Sequence, residues 1–294
     1  MSVYRTFLFA PGNHARRVEK ALSLDADAVI LDLEDAVAIA EKPATRKLAV
    51  DALQRPRTGL GYIRVNAIST EFCHGDIQAV VAKGVDGIIL PKVEAAHELK
   101  TIDWLIGELE REHGLPRGGI DLIPIVETGK GMQAVFEIAA AGTRVKRMAF
   151  GAGDFTLDMN IEWSRDETEL LPYRSAVVQA SRAAGIEPPL DTVWIELQDA
   201  EGFKASAVRC RQLGYQGKMC IHPDQVPVVN DVFMPGAEEV ARAEKFVAAF
   251  AEAERAGLAS IQVDGRFIDY PIVHRAQRIL ATVARIEAGK GRKG

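Results

Sequence analysis

Short apolar runs recur along the first 233 residues, each followed by a longer stretch with helical periodicity. They read "TFLFA" (6–10), "AVILDL" (28–33), "GYIRV" (61–65), "GIIL" (87–90), "DLIPIV" (121–126), "RMAFG" (147–151), "TVWIEL" (192–197) and "KMCIH" (218–222). Most are continuous and do not alternate. A strand covered on both faces reads this way, because neither face meets water, and such strands belong to parallel sheets. Between them, "HARRVEKALSL" (14–24), "KPATRKLAVDALQ" (42–54), "GDIQAVVAKG" (75–84), "GMQAVFEIAAAG" (131–142), "YRSAVVQASRAAG" (173–185) and "DAEGFKASAVRCRQLG" (199–214) space apolar residues as one helix face does. Gly84 and Gly142 suit helix C-caps. Strands alternating with helices eight times over predict an α/β fold, a (β/α)8 TIM barrel. The alternative is a doubly wound open sheet, but "PGN" after the first strand is a tight turn and not GxGxxG.

Beyond residue 233 the pattern changes. "PGAEEVARAEKFVAAFAEAERAG" predicts a helix opened near Pro235 and closed near Gly257. "ASIQVDGRFIDYP" predicts a hairpin turning at Asp264-Gly265, and "IVHRAQRILATVARIEAG" a last helix. We therefore divide the chain into a barrel over 1–233 and a C-terminal helical extension over 234–294. The extension either packs against the barrel floor or reaches another subunit. At 294 residues and 48% hydrophobic, the chain can bury a sizeable core. A net charge of -5 without a basic stripe argues against nucleic acid as partner. "GKGRKG" at the end reads as a solubilising, disordered tail. No run approaches the ~18 apolar residues of a membrane span. Residues 1–12 lack the pattern of a secretory leader, and Cys73, Cys210 and Cys220 are an odd set without metal-type spacing. These features predict a cytoplasmic protein with reduced, buried thiols.

In such a barrel the chemistry sits where strands end, so the strand tips carry the functional reading. They are "PGN" (11–13), "DLED" (32–35), "RVN" (64–66), "PKVE" (91–94), "ETGKG" (127–131), "GAGDFT" (151–156), a blurred seventh near Asp191, and "HPDQ" (222–225). Glu127 and Asp154 stand at neighbouring tips, each in a glycine-rich turn. Two such carboxylates suit a hard divalent ion, which takes one or two protein carboxylates and fills its shell with water and substrate oxygens. The structural alternative is that each caps a helix or pairs with Lys130 or Arg147. Arg64 interrupts an apolar strand. It is either a core-paired arginine or a fork for a substrate carboxylate, and we favour the fork. The glycines of "GAGDFT" either make a bare turn or clear room for backbone N–H groups to meet an anion. Asp32, Glu34 and Asp35 crowd one tip, either as groups orienting metal-bound water or as helix N-terminal acids. His222 is expected as a satisfied core histidine, and Lys92 as a solvated loop residue.

Together these pieces resemble the citrate lyase beta-chain-like CoA-ester lyases, within the Mg2+-dependent 2-oxo-acid aldolase (HpcH/HpaI) family. The matching segments are "RTFLFAPGN", "DAVILDLEDAV" followed by Lys42 and Arg46, "YIRVN", "DGIILPKVE", "IPIVETGKGM", "AFGAGDFTLDM", "GYQGKMCIHPDQV" and "VDGRFIDYPIVHRAQ", in order over nearly the whole chain. The resemblance implies a carbon–carbon lyase that cleaves or forms a 3-hydroxyacyl-CoA such as malyl-CoA or citramalyl-CoA, using Mg2+ (or Mn2+) with CoA as part of the substrate. The partners it implies are a CoA thioester, a small 2-oxo acid and further copies of the chain, as a trimer or a multiple of one. The alternatives are the beta subunit of a citrate lyase complex acting on a carrier-bound citryl thioester, and a malate synthase or thioesterase relative. By the same resemblance Glu127 and Asp154 are metal ligands, and Arg64, Gly153 and Asp154 bind the 2-oxo acid. Arg5, Lys42 and Arg46 meet CoA phosphates. Asp269, in "FIDYP", is a proton carrier delivered to a neighbouring subunit.

Overall fold

The strand registers show how the apolar runs close on themselves. The computed structural model describes residues 4–290. Eight parallel strands form a closed barrel in sequence order. They are β1 (Thr6–Pro11), β2 (Ala28–Asp32), β3 (Leu60–Arg64), β4 (Gly87–Leu90), β5 (Asp121–Val126), β6 (Ala149–Phe150), β7 (Leu190–Asp191) and β8 (Gly217–Cys220), and β1 pairs with β8 through Phe7 and Met219. The helices between them are α1 (Ala15–Leu22), α2 (Lys42–Leu53), α3 (Cys73–Val80), α4 (Ala96–Glu112), α5 (Gly129–Gln133), α6 (Val135–Ala139), α7 (Ala152–Asp158), α8 (Leu171–Ala183) and α9 (Ala200–Leu213), followed by α10 (Gln225–Val232). This is the (β/α)8 TIM barrel, not the open sheet.

Inward-facing Phe7, Ile30, Tyr62, Ile89, Ile123 and Met219 help fill the barrel, while a second, larger apolar layer lies between strands and helices. Both faces of each strand are therefore dry, which is why the runs are continuous. The N-terminal end is closed by ion pairs. Arg5 meets Asp27 at 3.0 Å, and Arg147 bridges Asp121 at 2.7 Å and Glu187 at 2.5 Å.

Three elements depart from the sequence pattern. The run 192–197 is not the seventh strand: β7 ends at Asp191, and the backbone then leaves the sheet. The Gln225 side chain donates to the Trp194 carbonyl at 3.0 Å, and Ile195 and Leu197 are exposed. The helix expected over 131–142 is two five-residue helices, α5 and α6, broken at Ala134. α4, unassigned above, is a 17-residue helix that buries Leu99, Ile102, Ile106 and Leu109 along one stripe. Gly84 and Gly142 both have positive φ, but in the turns after α3 and α6, not at the caps.

Met234 onward forms a compact unit of its own. It contains α11 (Ala237–Arg255), the hairpin β9 (Ser260–Val263) and β10 (Arg266–Asp269), and α12 (Tyr270–Lys290). Asp264 and Gly265 turn the hairpin with φ of 50° and 74°, the pair of positive values a type I′ turn needs. Phe246, Phe250, Ile268 and Val273 form its core. Cys73, Cys210 and Cys220 are buried and free. Among the described residues, no helix is long and apolar enough to cross a membrane. The expected tail "GKGRKG" (289–294) lies almost wholly outside the described residues.

Candidate active site at the barrel mouth

Glu127 follows directly on β5, whose six residues are all buried, and is itself only 4% exposed. It does not cap the next helix. Thr128 does that, accepting a hydrogen bond from the Gly131 N–H at 3.0 Å. Nor does it pair with Lys130 or Arg147, which hold Glu94 and the Asp121–Glu187 pair. Its room comes from the residue that follows β6, since a Cβ at Gly151 would collide with Glu127 Oε2. Its Oε1 accepts the backbone N–H of Lys92 at 2.9 Å. Burial pushes its carboxyl up to about 8, against the pull of Arg64 and with the repulsion of Asp154 and Glu34.

Register brings Arg64 beside Asp32, its pairing partner at the ends of β3 and β2. Nε and Nη2 donate to the two Asp32 oxygens at 2.7 Å each, a flat two-point fork. The guanidinium carbon lies over the Phe9 ring, 4.9 Å from its centre. Asp32 also accepts the N–H groups of Glu34 and Ala36 at 3.0 Å. Burial works against its ionisation, but Arg64 and these donors outweigh it and hold the carboxyl below the usual range. Nη1 of Arg64 approaches Glu34 Oε2 at 2.9 Å, off the hydrogen-bond line, so that this buried oxygen has no donor. The acids of "DLED" are not N-terminal acids of α2, which starts only at Lys42.

Asp154 stands in the first turn of α7, whose start is pinned by the Ala152 N–H donating to Thr192 Oγ1 at 2.8 Å. Gly153 precedes it and a Cβ there would meet open space, with Trp163 at 4.0 Å. Lys92 ties the mouth together. Its Nζ lies 2.6 Å from Glu34 Oε1, 3.5 Å from Asp154 Oδ2 and 3.7 Å from Asp35 Oδ1. Lys92 is thus not the solvated loop residue the sequence suggested: its ammonium is engaged by the acids of the mouth, and its backbone is left-handed (φ 52°). The signal available in the sequence was its place on a strand tip beside Pro91.

The mouth therefore gathers Asp32, Glu34, Asp35, Glu127 and Asp154 around two cations, Arg64 and Lys92. Negative charge is in excess, a buried carboxylate oxygen lacks a donor, and Glu127 is pushed toward its protonated form. The donors are all oxygens, as a hard cation requires. Among the described residues no group of three or more acidic, imidazole or thiol side chains is placed to hold a metal ion by itself. What fits is the open arrangement of Mg2+, with one or two carboxylates and positions left for water and substrate.

Residues 5–223 match the HpcH/HpaI aldolase/citrate lyase family. The chain belongs to this family. Citrate lyase subunit beta of Leuconostoc mesenteroides subsp. cremoris is 39% identical over 94% of this chain and 92% of its own length. A (3S)-malyl-CoA thioesterase of Cereibacter sphaeroides is 33% identical over 97% and 96%. Among solved structures, CitE from Mycobacterium tuberculosis in complex with magnesium, acetoacetate and coenzyme A superposes with a TM-score of 0.76 at 30% identity, covering 96% of this chain and 98% of that one. Aldolases and citrate lyase beta subunits are carbon–carbon lyases, and this HpcH/HpaI member is one of that class.

Of the residues expected to meet CoA phosphates, Arg5 is away from the mouth of this HpcH/HpaI barrel, whereas Lys42 and Arg46 lie beside the β2 and β3 tips and are taken up by protein partners. Arg5 lies at the opposite, N-terminal end, 4% exposed and held by Asp27. Lys42 is buried, and its Nζ donates to the Leu33 and Glu34 carbonyls and to Asn66 Oδ1. Arg46 donates to Asp76 at 2.7 Å and to the Phe72 carbonyl at 3.1 Å. A basic cavity of about 620 Å³ lies elsewhere on the rim, between the end of β1, α1 and the loop after β8. His14, Arg16, Arg17 and Lys20 line it, together with His222. His222 is accordingly not a core residue; 44% of its side chain is exposed. Helical spacing hid the α1 cations, since Arg16, Arg17 and Lys20 read as an ordinary solvated face. Asp269 belongs to the C-terminal unit, at the end of β10, where its Oδ1 accepts the Ile272 N–H at 3.3 Å.

Proposed function

We propose that the chain is a Mg2+-dependent lyase that cleaves, or in reverse forms, a 3-hydroxyacyl-CoA such as malyl-CoA or citramalyl-CoA, giving acetyl-CoA and a small 2-oxo acid. One observation carries this reading: two carboxylates from neighbouring strand tips, Glu127 and Asp154, share a mouth with more negative charge than its cations balance. They would hold Mg2+, with Mn2+ as substitute. When bound, the ion supplies a Lewis acid for the charge that develops on the acid's 2-oxygen. Arg64, already fixed against Asp32, orients the carboxylate of the 2-oxo acid. Backbone N–H groups of Gly153 and Asp154, in the first turn of α7, lack intrahelical acceptors and supply further donors. The basic cavity lined by His14, Arg16, Arg17 and Lys20 suits the phosphates of CoA. Asp269 is the proton carrier. It takes a proton from the thioester methyl carbon in synthesis and returns one in cleavage. In this reading the chains assemble as a trimer or a multiple of one, and Asp269 serves a neighbour's mouth.

The test is to incubate the pure chain with malyl-CoA and citramalyl-CoA, with and without EDTA. Metal-dependent release of glyoxylate or pyruvate is expected; release from neither substrate would sink the reading. A second reading has its own support. The 39% identity to a citrate lyase beta subunit favours a citryl thioester on a carrier protein. Activity confined to a carrier-bound citryl thioester, with none on free CoA esters, would select it.

A further inference from the structure

Lys92 combines features that no other described residue of the mouth shares. It is a non-glycine residue in the left-handed region, a conformation that persists only where the surroundings enforce it. Its backbone N–H is committed to Glu127 Oε1 at 2.9 Å. Its ammonium lies within 4 Å of Glu34, Asp35 and Asp154. One residue thus reaches four of the five carboxylates. Arg64 cannot shift its charge in this way, because its fork is locked on Asp32. A lysine ammonium is a point charge on a flexible stem with rotatable donors.

We propose that Lys92 is the resident cation of the mouth: it holds Glu34, Asp35 and Asp154 together when no metal is present, and a divalent ion has to compete with it. The inference rests on the metal reading of Glu127 and Asp154. Its physics is Coulombic. In the metal-free protein the ammonium relieves repulsion among the carboxylates. Once a divalent ion shares them, the same ammonium repels it, with twice the strength it would show toward a single charge. On arrival of the ion, Nζ withdraws toward Glu34, its nearest partner.

The test uses full-length K92M, which keeps most of the stem without the charge. K92N serves as a second uncharged variant, since asparagine tolerates the left-handed backbone. K92R is the charge-preserving control. Thermal melting after EDTA treatment and dialysis is compared with magnesium binding followed by calorimetry. For K92M and K92N the metal-free melting temperature should fall by roughly 4 °C or more. Their magnesium dissociation constant should fall by about ten-fold, one decade being only ~1.4 kcal/mol. K92R should track the parent. A lysine that only props the loop would lower stability without tightening the metal. Unchanged or weakened magnesium binding in both uncharged variants would overturn the inference. If K92M folds only with magnesium present, the inference is supported; if it folds in neither state, K92N decides. A parent chain that binds no magnesium would instead overturn the metal reading, a result distinct from a binding parent with unaltered variants.

Discussion

Arg64 holds its guanidinium edge-on to Asp32 through Nε and Nη2, so its orientation is fixed before any ligand arrives. A lysine at this position would keep a positive charge and lose the plane and the two-point geometry. R64K should therefore bind magnesium nearly as the parent does, yet lose roughly a hundred-fold in kcat/KM, the penalty typical of a misplaced substrate group. Steady-state kinetics beside a calorimetric metal isotherm would check this. Equal kcat/KM in R64K and parent would remove Arg64 from substrate orientation. Residues of this kind were legible in the sequence because each is a polar group where an apolar run stops: Glu127 after "DLIPIV", Arg64 inside "YIRV", Asp154 in "GAGD". Lys92 was not, because its role depends on one backbone angle and on partners from three other strand tips. Arg5 failed for the opposite reason. It lies close in sequence to the strand that leads to the mouth, but at the wrong end of that strand.

At the scale of elements, the residue after β6, Gly151, gives Glu127 its space, and the residue after β7, Thr192, fixes the start of the helix that carries Asp154. G151A places a methyl group against Glu127 Oε2. The variant should keep its far-UV circular dichroism while magnesium binding weakens by about 10- to 100-fold, as when a supporting group of a metal site is lost. Parent-like binding would show that Glu127 can retreat without consequence. β7 is only two residues long, and a buried network compensates. Asp191 accepts hydrogen bonds from Arg174 at 2.8 and 3.1 Å and pairs with Lys218, and Arg174 also holds Glu167 at 2.9 Å, all four side chains fully buried. Burial alone would raise the Asp191 carboxyl, but Arg174 and Lys218 outweigh it and hold it well below the usual carboxylate range. Glu167 is lowered against burial in the same way, by Arg174 and Lys218. The sign follows. A carboxylate whose folded pKa is depressed stabilises the fold above its unfolded value, ~4, and that contribution is lost as pH falls through and below it. Urea midpoints should thus fall steeply below about pH 4, and D191N should flatten that part of the profile. At neutral pH, D191N leaves Arg174 and Lys218 short of a counter-charge, with an expected loss of about 3–5 kcal/mol. An unchanged acid limb would contradict this assignment. None of it could be read from "TVWIEL", whose apolar pattern mimics a strand. The true strand precedes it and is held by ion pairs with α8 and β8, which sequence spacing does not reveal.

At the scale of the whole molecule, the proposed function assigns a part in the chemistry of a barrel mouth to Asp269, which stands at the end of a hairpin in the C-terminal unit. The unit has its own core, built on Phe246, Phe250, Ile268 and Val273, so it can present Asp269 as a preformed element and not as a loose tail. The proposed function makes this aspartate the proton carrier of a neighbouring subunit. Two lesions then separate by location. E127Q spoils the metal site of the chain that carries it, and D269N spoils only the proton carrier. Each homogeneous variant should show no measurable carbon–carbon cleavage, and D269N should still bind CoA esters with near-parental affinity. When the two are co-expressed, some assemblies contain a mouth with intact Glu127 next to an intact Asp269 from another chain. Those mouths should work. The expected result is partial recovery of metal-dependent glyoxylate or pyruvate release, and loss of that activity when the assembly is diluted to monomers. A co-expressed pool as inactive as its components would mean that Asp269 acts on its own barrel or takes no part. Parental activity in homogeneous D269N would remove it from the chemistry altogether. Recovery would tie catalysis to assembly, because no single chain of the mixture carries both groups intact.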